Sequence, residues 1–528
     1  MKVRLELIEL IDRINASPNE VDETSPLVNI DLGNTTVSTF YERFRNFIDY
    51  KEEHLLRQSA IERILVRKLR LGRRQDIAKR LIKELTLGSY IENNKLRYNQ
   101  VVAIDNIIQR YLQLLSLISK HNYIKYQVLS RDLMSLCAVE IENLLMPHPS
   151  EDDYLDFVIN RLDAKLNIPS RVMEADLDEK LYFQVATQKA LFQYDNATIT
   201  LSLLKTLVPS WSFTQAESLE QSATAYPTVV ATINQLLRDP VTDRLTKLIK
   251  KSIAPYLIID QIIKTESPSQ LINAFNKRPN LENKVWSIYQ SWHSRTHNQL
   301  TGNIIRIIIY IFIAKVLLGL FLEIPYDIIF AGKIDYLPLS INLIFPPLLM
   351  MILTTKIRTP KGNLEKLVTL VNQIVYEDYI DQSQPASIEL TAPNGKNRLK
   401  LIFNVILTIC YIALFGGVIY GLYLLNFTLM SGLLFFFFFS VVSFFAVRIR
   451  QSVNLYTVTS AKRDIFSSLI NFLAMPFMRI GQWLSATISQ FNVILFILDL
   501  IIEAPFKAFF ELFSQWQAFI KEKQDEIG

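Results

Sequence analysis

"SGLLFFFFFSVVSFFAVRIR" occupies residues 431–450, with five phenylalanines in a row at 435–439 and no charge before Arg448. Water excludes that much aromatic surface, so the run belongs in a protein core or in lipid. Working outward decides between the two. Three more apolar runs precede it, at 303–324 ("NIIRIIIYIFIAKVLLGLFLEI"), 336–355 ("YLPLSINLIFPPLLMMILTT") and 401–425 ("LIFNVILTICYIALFGGVIYGLYLL"). Each approaches the about 20 residues that cross a bilayer. With 429–447 they predict a four-span membrane domain over residues 301–450, because one soluble core does not absorb four such runs in succession.

Lysine and arginine near the span ends set the expected orientation. Sixteen lie before the first span or at its start, between the second and third, or after the fourth, whereas the two opposite loops hold only Lys333. Both termini and the 356–400 loop are therefore expected on the cytoplasmic side of the inner membrane. The third and fourth spans are joined by little more than Asn426–Thr428, which makes them a hairpin.

Three features inside the spans stand out. Lys315 falls near the middle of the first, and an ionisable residue at that depth is a functional candidate. No acidic partner for it is expected mid-membrane. Pro346 and Pro347 are expected to break the helix of the second span. Gly417 and Gly421 form a G-x-x-x-G in the third, which lets another helix approach closely, here the neighbouring arm of the hairpin.

Residues 1–300 carry helical spacing nearly throughout, as in "VVAIDNIIQRYLQLLSLIS" (101–119) and "DDYLDFVINRLDAKL" (152–166), and Pro and Ser cluster at the breaks. This half predicts a multi-helix cytoplasmic domain, with a polar linker at 18–35. After the fourth span, 451–528 is amphipathic: Leu484, Ile488, Phe491 and Leu495 share one face, and Gln482, Ser485, Ser489 and Asn492 share another. That pattern predicts helices lying at the membrane surface over 465–520, with an extra pair of spans as the alternative. The fold class expected is all-α: a helical cytoplasmic domain, a four-span membrane domain and a C-terminal amphipathic region.

Net charge is only +5, but 57–83 holds ten basic residues against two acidic ones. Within it 54–74 reads as a basic amphipathic helix. Arg63, Arg67, Lys68, Arg70, Arg73 and Arg74 are the candidate contacts for the anionic inner leaflet or an acidic partner. No nucleic-acid recognition module is visible. The two cysteines, Cys137 and Cys410, fall in different halves and form no disulfide framework. His293 and His297 are four apart but have no flanking Glu and no third ligand, so no metal is expected, and no cofactor. Phosphate-cradling loops, nucleophile elbows and zinc-protease motifs are absent. The function expected is non-enzymatic: scaffolding, tethering or envelope organisation through the helical domain, with a protein partner or a homo-oligomer. The alternatives are a transporter or channel component working as an oligomer, and a membrane-interface enzyme acting on lipids.

Overall fold

The computed structural model describes residues 2–16, 25–30, 53–70, 76–121, 126–147, 150–163, 166–167, 179–355, 362–377, 388–389, 397–453 and 456–458, with Met475, Arg479, Ile480 and Trp483. The amphipathic region expected over 465–520 lies outside the described residues except for those last four. The chain divides into two compact units. One comprises Met1–Tyr289 with Leu364–Asn394, the other Gln290–Asn363 with Gly395–Gly528.

The first unit is helical. In chain order it runs α1 (Leu5–Ala16), α2 (Glu53–Arg70), α3 (Ile77–Leu87), α4 (Tyr98–His121), α5 (Tyr126–Leu145), α6 (Glu151–Asp163), α7 (Glu179–Leu191), α8 (Asn196–Leu207), α9 (Ala216–Arg238), α10 (Pro240–Ser252), α11 (Ala254–Thr265) and α12 (Pro268–Asn276). Local chemistry sets several starts. The Asp195 carboxylate accepts from Thr198 N at 2.9 Å and caps α8. Asp239 accepts from Val241 N at 2.8 Å and is followed by Pro240, whose fixed φ and missing N–H suit the first helical position of α10.

The main core gathers the apolar stripes of α2 through α5 with those of α8 and α9. Trp211, fully buried, stacks on Tyr226 with ring centroids 5.7 Å apart and meets Tyr111 edge-on at 6.1 Å. By length and composition two described helices could cross a membrane, Tyr98–Lys120 and Tyr336–Leu353. The first of these is α4, whose Ile104, Ile108, Tyr111 and Leu114 are buried in this core against its neighbours. Its apolarity is that of a central helix in a bundle.

The first unit also takes in a segment that the sequence places in an inter-span loop. Arg4 N donates to Val375 O at 3.0 Å, Glu377 N to Lys2 O at 3.0 Å, and the Tyr376 hydroxyl to Phe275 O at 2.9 Å. The two-residue strands β1 (Leu166–Asn167) and β2 (Ile388–Glu389) pair in parallel. The chain therefore passes between the units at 289–290, 363–364 and 394–395.

A single long helix, α13 (Arg278–Leu318), leads into the second unit. It continues without interruption through a π-helical stretch at Gly319–Glu323, an α turn at Ile324–Tyr326 and a second π stretch at Asp327–Ala331. Gly332 ends it with φ +67°, a conformation that glycine adopts freely. Then come α14 (Tyr336–Thr355), α15 (Asn363–Val375, which belongs to the first unit from Leu364), α16 (Asn397–Leu424) and α17 (Leu429–Val453). α14 remains helical through Pro346 and Pro347, so the break expected there is not seen. A proline inside a helix forfeits one hydrogen bond and bends it, and here the flanking turns keep it going. The link from α16 to α17 turns on Asn426 (φ +57°). Phe427 N bonds to Leu422 O and Asn426 N to Tyr423 O, both at 3.0 Å, which is the hydrogen-bond pair of a left-handed helix cap.

Candidate functional site

The second unit inverts the usual arrangement of side chains. Phe321, Ile329 and Phe330 are more than 70% exposed, and Ile309, Ile313, Ile344, Ile352, Ile409 and Ile412 are exposed too. At its centre are charges: Lys315 is 2% exposed and Glu323 0%. Lys315 Nζ donates to Glu323 Oε2 at 3.2 Å. The other oxygen, Glu323 Oε1, accepts from Asn342 Nδ2 of α14 at 2.7 Å and from Ser431 Oγ of α17 at 2.6 Å. Asn342 Nδ2 also reaches Ser431 O at 3.0 Å. One carboxylate thus ties three helical segments together.

The partner of Lys315 is the main correction to the sequence reading, which expected none. Eight residues separate Lys315 from Glu323. At about 100° per residue a regular α-helix would carry Glu323 some 80° past the lysine's face. The π stretch at Gly319–Glu323 has a wider turn, takes up the extra residue and returns Glu323 to that face. Asp327, four residues further along and 4% exposed, lies one turn beyond Glu323.

The phenylalanine run completes the site. Phe438 presents its ring 5.2 Å from Lys315 Nζ, which puts the ammonium over a π face. Phe435 and Phe439 stack on Phe345 of α14 at 5.0 and 6.0 Å, and Phe436 meets Phe415 of α16 at 5.9 Å. The row of aromatic rings packs α14 and α16 onto α17, and one of its rings faces a cation.

The other expected site residues fare differently. Nothing lies within 4 Å of a Cβ added at Gly417 or Gly421, so among the described residues this face does not pack the hairpin. Rings, not glycines, make the contact between α16 and α17. Of the six basic candidates, Arg67 and Lys68 both pair with Glu84 of α3, the lysine at 2.7 Å. Arg63 is half-buried on the same helix, and Arg70 ends it. Arg73 and Arg74 lie outside the described residues. Part of the basic stretch is thus engaged within the fold, as is Arg57, buried against Glu142 at 3.2 Å.

The first unit has a polar cleft of about 940 Å³ among α6, α7 and α8, lined by Glu151, Asp152, Asp156, Lys180 and Lys205. Among its lining residues the Tyr194 hydroxyl donates to the Glu151 carboxylate. Cys137 is fully buried in the neighbouring core, and burial there pushes its thiol well above the usual range, which makes it unreactive. Among the described residues no three His, Cys, Asp or Glu side chains gather closely enough to hold a metal ion. No family model, no curated protein and no solved structure matches the chain.

Proposed function

We propose that the chain is an integral membrane protein whose second unit spans the bilayer four times and holds the first, helical unit at the cytoplasmic face as a scaffold or tether. One observation carries the membrane reading: apolar side chains face outward over the second unit while Lys315, Glu323, Asp327 and Asn342 are buried within it. In water that surface would be an association liability, and in lipid it is the expected one. The orientation is supported by the distribution of Lys and Arg. It is supported again by residues 364–377, which lie between two proposed spans yet belong to the same unit as residues 1–289. Such a pairing requires both segments on one side of the bilayer.

The tethering role is supported by the size and helical nature of the first unit and by its three covalent links to the second. Alkaline carbonate washing of native membranes tests the premise, and the expected result is that the chain stays in the pellet. Cysteine placed at Lys333 should react with an impermeant maleimide from outside, and cysteine placed at the exposed Lys251 only after lysis. Release by carbonate, or the reverse labelling, overturns the reading. Extraction in native lipid should then recover a stoichiometric second protein.

A second reading, a transport component working as an oligomer, is favoured by the Lys315–Glu323 pair and the two π stretches beside it. π turns and buried ion pairs both recur at functional sites in membrane helices. A clean homo-oligomer without a client in the same extraction would favour it.

A further inference from the structure

Many cations of the first unit are paired within it. Arg57 meets Glu142, Arg67 and Lys68 meet Glu84, Arg110 meets Glu140, and Lys264 meets Glu151 and Asp260. α10 is different. Its Thr242, Leu245, Thr246 and Ile249 are buried, while Arg244, Lys247, Lys250 and Lys251 are exposed on the other side. At about 100° per residue those four fall within about 120° of arc, over about 10 Å of helix. Arg238, exposed at the end of α9, stands two residues before α10 begins. Among the described residues none of the five forms an ion pair. The acid on that arc, Asp243, acts on Lys189 of α7 and favours its charged form.

Helix-end chemistry explains part of this face. The helix dipole favours cations in a last turn, which accounts for Lys250 and Lys251. It does not account for Arg244 and Lys247 in the middle. Lys247 is three residues from Arg244 and from Lys250 and four from Lys251, spacings at which like charges repel, so the helix gains nothing from it. The arc carries no aromatic side chain, and the apolar residues at its edge, Val241 and Leu248, are half-buried. A protein interface draws on aromatic and apolar anchors, and single-stranded nucleic acid on rings that stack with bases. A sheet of headgroup charge needs neither. We propose that this face of α10 docks the first unit on anionic lipid headgroups of the leaflet to which it is tethered. The inference rests on the membrane reading. Each basic residue near an anionic surface multiplies affinity about fivefold, a modest total for a free domain and sufficient for one that the spans already hold at the bilayer. The lipid contact thus moves from residues 63–74, which the sequence nominates, to a different helix.

Acylation of the full chain by a water-soluble amine reagent, read lysine by lysine by mass spectrometry, tests this in nanodiscs of phosphatidylcholine with and without phosphatidylglycerol. Lys247, Lys250 and Lys251 should react severalfold more slowly in the anionic discs, while the exposed Lys95 is unchanged. The protection should disappear at about 1 M salt, where charge is screened within about 3 Å. Arg244→Glu with Lys247→Glu should expose Lys250 and Lys251, and Arg244→Lys with Lys247→Arg should keep them protected. Both positions lie on the outer surface, away from the core. Equal reactivity in the two discs overturns the proposal. So does protection that needs no anionic lipid, or protection confined to Lys79 and Lys83 of α3, which would return the contact to the basic stretch at 57–83. Protection found in native membranes but absent from the anionic discs gives the face to an acidic protein or a nucleic acid, and also overturns it. Carbonate extraction separates the two levels: a chain released from native membranes overturns the membrane reading and this one with it, and a chain that stays but leaves these lysines equally reactive overturns only this one.

Discussion

The two units solve the problem of burying charge in opposite settings. In the first, Arg57 and Glu142 are buried 3.2 Å apart beside a core of Leu, Ile, Tyr and Trp, and the outward surface is mostly polar. In the second, Lys315 and Glu323 are buried at the same separation, but the outward surface is Ile, Leu and Phe. The pairs look alike and their surroundings do not. What differs is the state each pair is compared with on unfolding: water in the first unit and, on the membrane reading, lipid in the second.

The largest expected effect comes from breaking the second pair. Glu323→Leu leaves the Lys315 ammonium buried without its carboxylate and takes an acceptor from Asn342 and Ser431. A broken buried pair costs about 3–5 kcal/mol. Replacing both, Lys315→Met with Glu323→Leu, should recover most of that loss, because the uncompensated charge goes with its partner. Thermal unfolding of the full chain in native lipid, read as a double-mutant cycle, measures the coupling. If the single variants cost nothing, the pair does not hold these helices together.

A substitution on the outer face sharpens the contrast itself. Ile313 is half-exposed, two residues before Lys315 on the same helix. On a water-facing surface Ile313→Arg should change stability by less than about 0.5 kcal/mol. Near the middle of a span it should cost about 2.5–3.5 kcal/mol and reduce membrane insertion. An arginine at the exposed Lys251 position of the first unit is the matched control. A harmless Ile313→Arg would remove the reason for treating the two surfaces differently.

These residues also mark how far sequence reading reaches. Helical spacing, the apolar runs and Lys315 were legible because each is a local pattern. Glu323 was in plain view within the first run, but its pairing was not, because regular 3.6-residue geometry puts it on another face and only the π stretch brings it back. The pairing of Arg67 and Lys68 with Glu84, and the joining of Tyr376 to the first unit, depend on tertiary contacts that periodicity does not encode. The G-x-x-x-G at Gly417 misled for the opposite reason: glycines permit close packing without requiring it, and the rings at Phe415 and Phe436 make the contact instead.

The smallest effect should come from the first unit, where a carboxylate meets water. Asp152 stands in the first turn of α6, where the helix dipole favours negative charge. Its pKa is nevertheless raised, first by partial burial and then by Glu151 and Asp153, while Lys205 opposes the shift. Between the unfolded value, about 3.9, and the raised folded one, the folded chain binds more protons than the unfolded chain. Stability attributable to this group therefore falls as pH rises through that window, and the loss persists at neutral pH. Asp152→Asn should stabilise the full chain there by only a few tenths of a kcal/mol, because the side chain is only partly buried and solvent screens it, and the gain should vanish below about pH 4. Unfolding midpoints at the two pH values check this. A variant less stable at neutral pH would mean that the dipole outweighs the neighbouring carboxylates, and that charge in the first unit is set by the helix end more than by its cleft.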